Sequence, residues 1–229
     1  MFNDNLPADA QILPFYLADG SDDTALIRGR MASVGQAASS ILARHAYPEI
    51  VGILQAEALA LAACLSSTLK FDGVFTLQAK GDGLVRTLFA DITETGALRG
   101  YAALDDNRAA LQAAALMHDP TGPVRLGHVM GDGYIAFTVD DGNTNGRYQG
   151  IVELDNQHLS DAAMRWYENS EQLNTIVVCA AENVADGWQA VALMLQRIAV
   201  EGGKGDAMTW SDAAAQAKSD DTWHTAKTL

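Results

Sequence analysis

The chain has 229 residues, enough for one large domain or two small ones with a sizeable core. Lys and Arg total 15 against 29 Asp and Glu, a formal net charge of -14. That balance disfavours nucleic acid, whose binders neutralise phosphates with clustered cations, and an anionic membrane surface as partner. Hydrophobic residues make up 48%, so the chain reads as globular rather than disordered. No window holds the roughly 18 uninterrupted apolar residues of a membrane span. The start, MFNDNLPADA, lacks the basic segment and apolar core of a signal peptide. Two cysteines, Cys64 and Cys179, make no disulfide framework, so a cytoplasmic location is expected.

In chain order, MASVGQAASSILARHAY (residues 31–47) predicts a first helix, stopped by Pro48. A second helix starts at Pro48, with Glu49 in its first turn and Ile50, Ile53, Leu54, Leu61 and Leu65 at helical spacing. Period-two strands follow. Phe75, Leu77 and Ala79 share one face, then Ile135, Phe137 and Val139, then Tyr148, Val152 and Leu154. Six Asp-Gly pairs, beginning at Asp19, Asp72, Asp82, Asp132, Asp141 and Asp186, predict tight hairpins with positive φ. LSDAAMRWYENS (159–170) predicts a helix with Ser160 as N-cap and Leu159, Ala163, Trp166, Tyr167 and Ser170 on one face. Residues 188–200 suit either a helix or a strand paired with TIVVCA (175–180). From Glu201 a polar, Gly-rich segment carries Trp210 and Trp223 and a short helix capped by Ser211.

The search for chemistry is mostly negative. Asp141, Asn143, Asn145 and Gly146 match the start of a calcium loop. Position twelve is Val152, however, with Glu153 one residue late, so an ordinary hairpin loop is preferred. The KGDG and GGKGD stretches fit neither phosphate-loop pattern. The histidines His45, His118, His128, His158 and His224 show no metal-ligand spacing. No nucleophile elbow surrounds a serine, and Ser170, Glu171 and Gln172 read as helix-end residues. Cys64 and Cys179 lie in apolar runs, where buried, inert thiols are the ordinary case. No residue is assigned a catalytic, cofactor-binding or metal role.

The ordered motifs carry a resemblance. YPEIVGILQAEALALAACLSSTLKFDG, TLQAKGDG, LRGYA, GDGYIAFTVDD, RYQGIVEL and RWYENSEQL together resemble the core of the thirty-three-kilodalton heat-shock chaperonin family, over roughly Asp9 to Ala199. The resemblance implies an α+β fold, a largely antiparallel sheet core packed with helices and followed by a partly helical linker. It also implies an ATP-independent, redox-regulated holdase that binds unfolding client proteins, often as a homodimer. In that family a C-terminal zinc domain holds its metal through Cys-x-Cys and Cys-x-x-Cys pairs. Oxidation of those thiolates releases the zinc and unmasks apolar surface.

Neither cysteine pair occurs in this sequence. The expected organisation is a chaperone core over residues 1–200 and a truncated linker over 201–229. The zinc switch is absent from this chain, and zinc is expected only in a longer parent. Two other readings stand beside the holdase. One is a small-molecule hydrolase or transferase with a polar cluster drawn from Arg86, Asp91, Arg99, Glu171 and His128. The other is a purely structural dimerisation module.

Overall fold

A helix with apolar residues on every side needs cover on every side, and the long helix of this chain is placed accordingly. The computed structural model describes residues 10–18, 25–106, 110, 113–115, 118, 122–142, 146–155, 157–171 and 174–198. Its strands are β1 (Ala10–Ala18), β2 (Ala25–Val34), β3 (Val74–Gly81), β4 (Val85–Thr93), β5 (Leu98–Leu104), β6 (Gly133–Asp140), β7 (Arg147–Leu154), β8 (Thr175–Val184) and β9 (Gly187–Arg197). Its helices include α1 (Gln36–Leu42), α2 (Glu49–Ser66), α3 (Leu126–Val129) and α4 (Leu159–Glu171). The strands form two antiparallel sheets, a four-stranded one in the order β1-β2-β9-β8 and a five-stranded one in the order β5-β4-β3-β6-β7. The α+β, antiparallel architecture expected from the sequence is present.

Helix α2 lies between the sheets, against β2, β8 and β9 on one side and β3, β4 and β5 on the other. Every α2 residue except Glu49 and Ile53 is buried. Small residues allow this close approach: a Cβ on Gly52 would fall 2.5 Å from the Trp188 ring. By length and composition α2 could cross a membrane, yet 89% of it is buried inside the fold. Its C-terminal carbonyls are taken up locally, since the hydroxyls of Ser66, Ser67 and Thr68 donate to the Ala63, Cys64 and Leu65 carbonyls at 3.0, 2.6 and 2.8 Å.

Helix α4 fills the rest of the space between the sheets. Trp166 stacks on Phe137 of β6 at 4.8 Å and 14°, and the Tyr167 hydroxyl is 2.9 Å from Thr68 Oγ1. The stretch from Arg165 to Cys179 therefore holds the end of α4, anchored by two buried aromatics, and the start of β8. Its cap differs from the expected one. Ser160 lies inside the helix, and Asp161 reaches back to accept the His158 main-chain N–H at 3.0 Å.

Two further elements depart from expectation. Residues 31–34 extend β2 rather than opening a helix, because Met31, Ala32, Ser33 and Val34 pair with β1 and three of them also with β9. The first helix shrinks to Gln36–Leu42, after Gly35. Residues 187–197 form strand β9, which resolves the open assignment. Trp210, Trp223 and the whole segment 199–229 lie outside the described residues.

Only three Asp-Gly pairs turn described hairpins: Asp82-Gly83, Asp141-Gly142 and Asp186-Gly187. Asp19-Gly20 is outside the described residues, and the β4–β5 turn uses Gly96 at φ 85. The remaining two pairs, Asp72-Gly73 and Asp132-Gly133, lead into β3 and β6. Of the described Asp-Gly glycines, Gly142 and Gly187 have positive φ. Gly73, Gly83 and Gly133 are explained by contact instead, since a Cβ on any of them would collide with facing backbone.

The two central strands of the five-stranded sheet are thus clasped at both ends. At one end the Asp132 N–H donates to Asp82 Oδ1 at 2.9 Å and the Gly83 N–H to the Met130 carbonyl at 2.7 Å. At the other, the Asp72 N–H donates to Asp141 Oδ1 at 3.3 Å. The glycine stretch KGDG is occupied by its own fold, not shaped around a phosphate.

Candidate functional site

Strand periodicity assigns each residue of the four-stranded sheet to one of two faces. The inner face, with Ala32, Val34, Val177, Cys179, Ala190, Ala192 and Met194, joins the core. On the outer face, cross-strand partners form continuous rows. One row is Leu13, Met31, Leu193 and Val178; the next is Phe15, Gly29, Leu195 and Ile176. Leu17 and Ile27 follow on one side, and Val191 and Ala180 on the other.

This outer face is apolar and open among the described residues. Leu13 is 54% exposed, Met31 41%, Val178 55% and Val191 44%. A small cluster still forms on it, with Ile27 and Leu195 buried beneath Phe15, Ile176 and Leu193. Gly29 makes room for that cluster, because any Cβ there would overlap the Phe15 ring. An exposed apolar patch spread across four strands is the usual mark of a surface that binds another macromolecule.

The polar cluster considered from sequence is not assembled. Asp91 and Arg99 face each other across β4 and β5 and form an ion pair at 2.6 Å. Arg86 pairs instead with Asp105 at 2.8 Å and donates to the Asp82 carbonyl. His128 lies on α3 and Glu171 at the end of α4. A crevice of about 340 Å³ is lined by Gly35, Gln36, Ser39, Asp186, Trp188 and Gln189, none of them from that cluster. The hydrolase reading loses its site.

The cysteines are inert by environment. Burial pushes the Cys64 thiol up to about 12, with Arg30 only partly opposing it. Cys179 is raised by burial and secondarily by the neighbouring Glu57. Among the described residues no group of three or more His, Cys, Asp or Glu could hold a metal ion. The described residues do not fit a zinc site. The Asp141 loop joins strands β6 and β7, not helices, and Asn143 and Asn145 lie outside the described residues.

Sequence reasoning missed Glu57. It is 1% exposed, at the middle of α2, and neither carboxyl oxygen makes a well-formed hydrogen bond. Burial pushes its carboxyl up to about 8, offset only in part by the nearby Val124 N–H. The available signal was a lone acid inside an otherwise apolar helical run.

This arrangement defines an α+β module built around a central helix, with a broad apolar sheet face left open among the described residues. The family model described as Hsp33 protein matches residues 15–226. A 33 kDa chaperonin of Caulobacter vibrioides (strain NA1000 / CB15N) is 36% identical over 196 residues, covering 82% of this chain and 63% of the relative. One from Pseudomonas syringae pv. syringae is 37% identical over 185 residues, covering 81% and 55%. The crystal structure of the 33 kDa chaperonin (heat shock protein 33 homolog) from Thermotoga maritima shares the fold, with a TM-score of 0.64 at 20% identity over 82% of this chain and 60% of that one. The chain belongs to the Hsp33 family, whose members named here are 33 kDa chaperonins. It spans less than two-thirds of the length of these relatives.

Proposed function

We propose that this chain is the core of an ATP-independent holdase chaperone, and that the outer face of the four-stranded sheet is where it holds unfolding client proteins. The observation that carries this reading is the row of Leu13, Met31 and Val178, apolar side chains left open on a sheet whose other face packs against α2. Burying apolar client surface there removes both partners from water, at roughly 25 cal/mol per Å². No phosphate site or nucleotide is required for that step. The relatives' chaperonin names support the reading.

Redox control belongs to the same proposal only for a longer parent, and through cysteines other than Cys64 and Cys179, whose thiols are buried. A homodimer in the cytoplasm completes the proposal; sedimentation equilibrium of the purified chain tests the dimer. The function itself is tested by light scattering with thermally unfolding citrate synthase. Suppressed aggregation at stoichiometric amounts is expected, and unsuppressed aggregation overturns the reading.

A further inference from the structure

Asp-Gly is a pair at which a protein chain rearranges readily without an enzyme, because glycine leaves its main-chain nitrogen unhindered. That nitrogen attacks the Asp side-chain carbonyl carbon, and the N–H proton and the carboxyl hydroxyl leave as water. Water reopens the resulting succinimide at either carbonyl, giving aspartate or isoaspartate. Closure requires the peptide plane between the two residues to turn, so bonds that hold that plane suppress it. Five Asp-Gly pairs lie among the described residues, and four of their aspartates are exposed, so access to solvent does not separate them.

Four of the five are pinned by bonds from beyond their own turn. The Asp72 N–H donates to Asp141 Oδ1 at 3.3 Å, and the Gly73 carbonyl accepts the Glu94 N–H at 3.1 Å. The Gly83 N–H donates to the Met130 carbonyl at 2.7 Å. The Asp82 N–H donates to the Asp132 carbonyl at 3.1 Å, which holds the Asp132-Gly133 peptide as well. Gly133 also lies hard against the Lys80 backbone. The Gly142 N–H donates to Asp140 Oδ1 at 3.0 Å, and the Asp141 N–H to the Gly146 carbonyl at 2.9 Å.

Asp186-Gly187 is the exception. It closes the short turn between β8 and β9, where Gly187 pairs with Val184 at the end of the ladder and stands at φ 114. Among the described residues the Asp186 carboxylate has no hydrogen-bond or ion-pair partner, and the nearest hydrogen bond from outside the hairpin is one residue on, from the Trp188 N–H to Ser39 Oγ at 2.7 Å. Exposed loop tips held this lightly are where covalent change concentrates. We propose that Asp186-Gly187 is a spontaneous isomerisation site, and that its isoaspartyl product is a substrate for a carboxyl methyltransferase using S-adenosylmethionine. The methyl group passes from the sulfonium to the freed α-carboxylate, and the ester closes again to the succinimide with loss of methanol. Left unrepaired, isoaspartate adds a methylene to the main chain between two strands that carry the open apolar face. This chemistry is independent of client binding.

Warm incubation of the whole chain at neutral pH, folded and in parallel in concentrated urea, tests this. Isoaspartate is located by mass spectrometry of peptides and by methyl label from an isoaspartyl methyltransferase. In urea the pairs should convert at similar rates. In the folded chain Asp186 should stay near its urea rate, while Asp72, Asp82, Asp132 and Asp141 slow by about tenfold or more. Asp186 slowed as much as these four overturns the proposal, as does isoaspartate that forms first at any of them. Isoaspartate at Asp186 that takes no methyl label overturns the methyltransferase half. Asp186→Glu, whose longer side chain does not form the succinimide, should lose the signal from that peptide alone. A signal that persists there overturns the assignment.

Discussion

The two sheets share one helix and differ in what they turn outward. The outer face of the five-stranded sheet is mixed: in one row Arg99 pairs with Asp91 and Gln149 donates to Thr138 at 2.8 Å, while the next runs through Tyr101, Phe89, Gln78, Ala136 and Ile151. The outer face of the four-stranded sheet has Leu13, Met31, Leu193 and Val178 in the equivalent central row. Both inner faces pack against α2, that of the four-stranded sheet carrying Arg28, Arg30 and Gln196 beside its apolar residues. The longer apolar rows lie on the four-stranded sheet, which is why client binding is proposed for that side.

The strongest way to break this comparison is to charge each face in turn. The double change Leu13→Asp and Met31→Asp should raise the amount of protein needed to suppress citrate synthase aggregation about tenfold, about 1.4 kcal/mol of binding. Ile151→Asp, at a position 60% exposed on the other sheet, should leave it unchanged. Equal losses from both would remove the distinction.

The helix between the sheets supplies the next test. The Glu57 carboxyl is raised from 4.5 to about 8 by burial, so the folded state holds its proton more tightly than the unfolded chain. Its contribution is complete below pH 4.5 and is lost as pH rises towards 8. Glu57→Gln should flatten that decline and exceed the parent at pH 8 by about 4–5 kcal/mol, on the order of 1.4 kcal/mol per pH unit. Urea unfolding at several pH values measures it; a parent whose stability does not fall across that range refutes the assignment.

Trp166→Ala removes the stack on Phe137 that fastens α4 to the five-stranded sheet, and should cost about 3–5 kcal/mol in the same assay. Arg99→Ala, with a side chain 67% exposed, should cost less than about 1 kcal/mol. A larger loss would mean that the polar outer face is also structural.

The five-stranded sheet was legible in the sequence because its strands alternate. Phe75, Leu77 and Ala79 point inward while Thr76, Gln78 and Lys80 point outward, and the period of two survives. Strand β9 was not legible for the opposite reason. Ala190, Ala192 and Met194 fill the inner face while Val191, Leu193 and Leu195 fill the outer one, so alternation vanishes and a helix fits equally well. The same loss of pattern let residues 31–34 read as helix. What concealed the four-stranded sheet is the apolar outer surface proposed to act. The absence of an assigned catalytic residue left the search without a side-chain signal, because an open face is a property of pairing and register.

The clasped Asp-Gly turns have a consequence for heat. They pin β3 and β6 at both ends, with the Asp82 and Asp141 carboxylates each accepting a main-chain N–H from the facing turn. A one-residue slip of either strand would break both clasps and turn its core side chains outward, Phe75 from β3 or Phe137 from β6. Heat therefore cannot slide one of these strands past the other without first undoing a clasp.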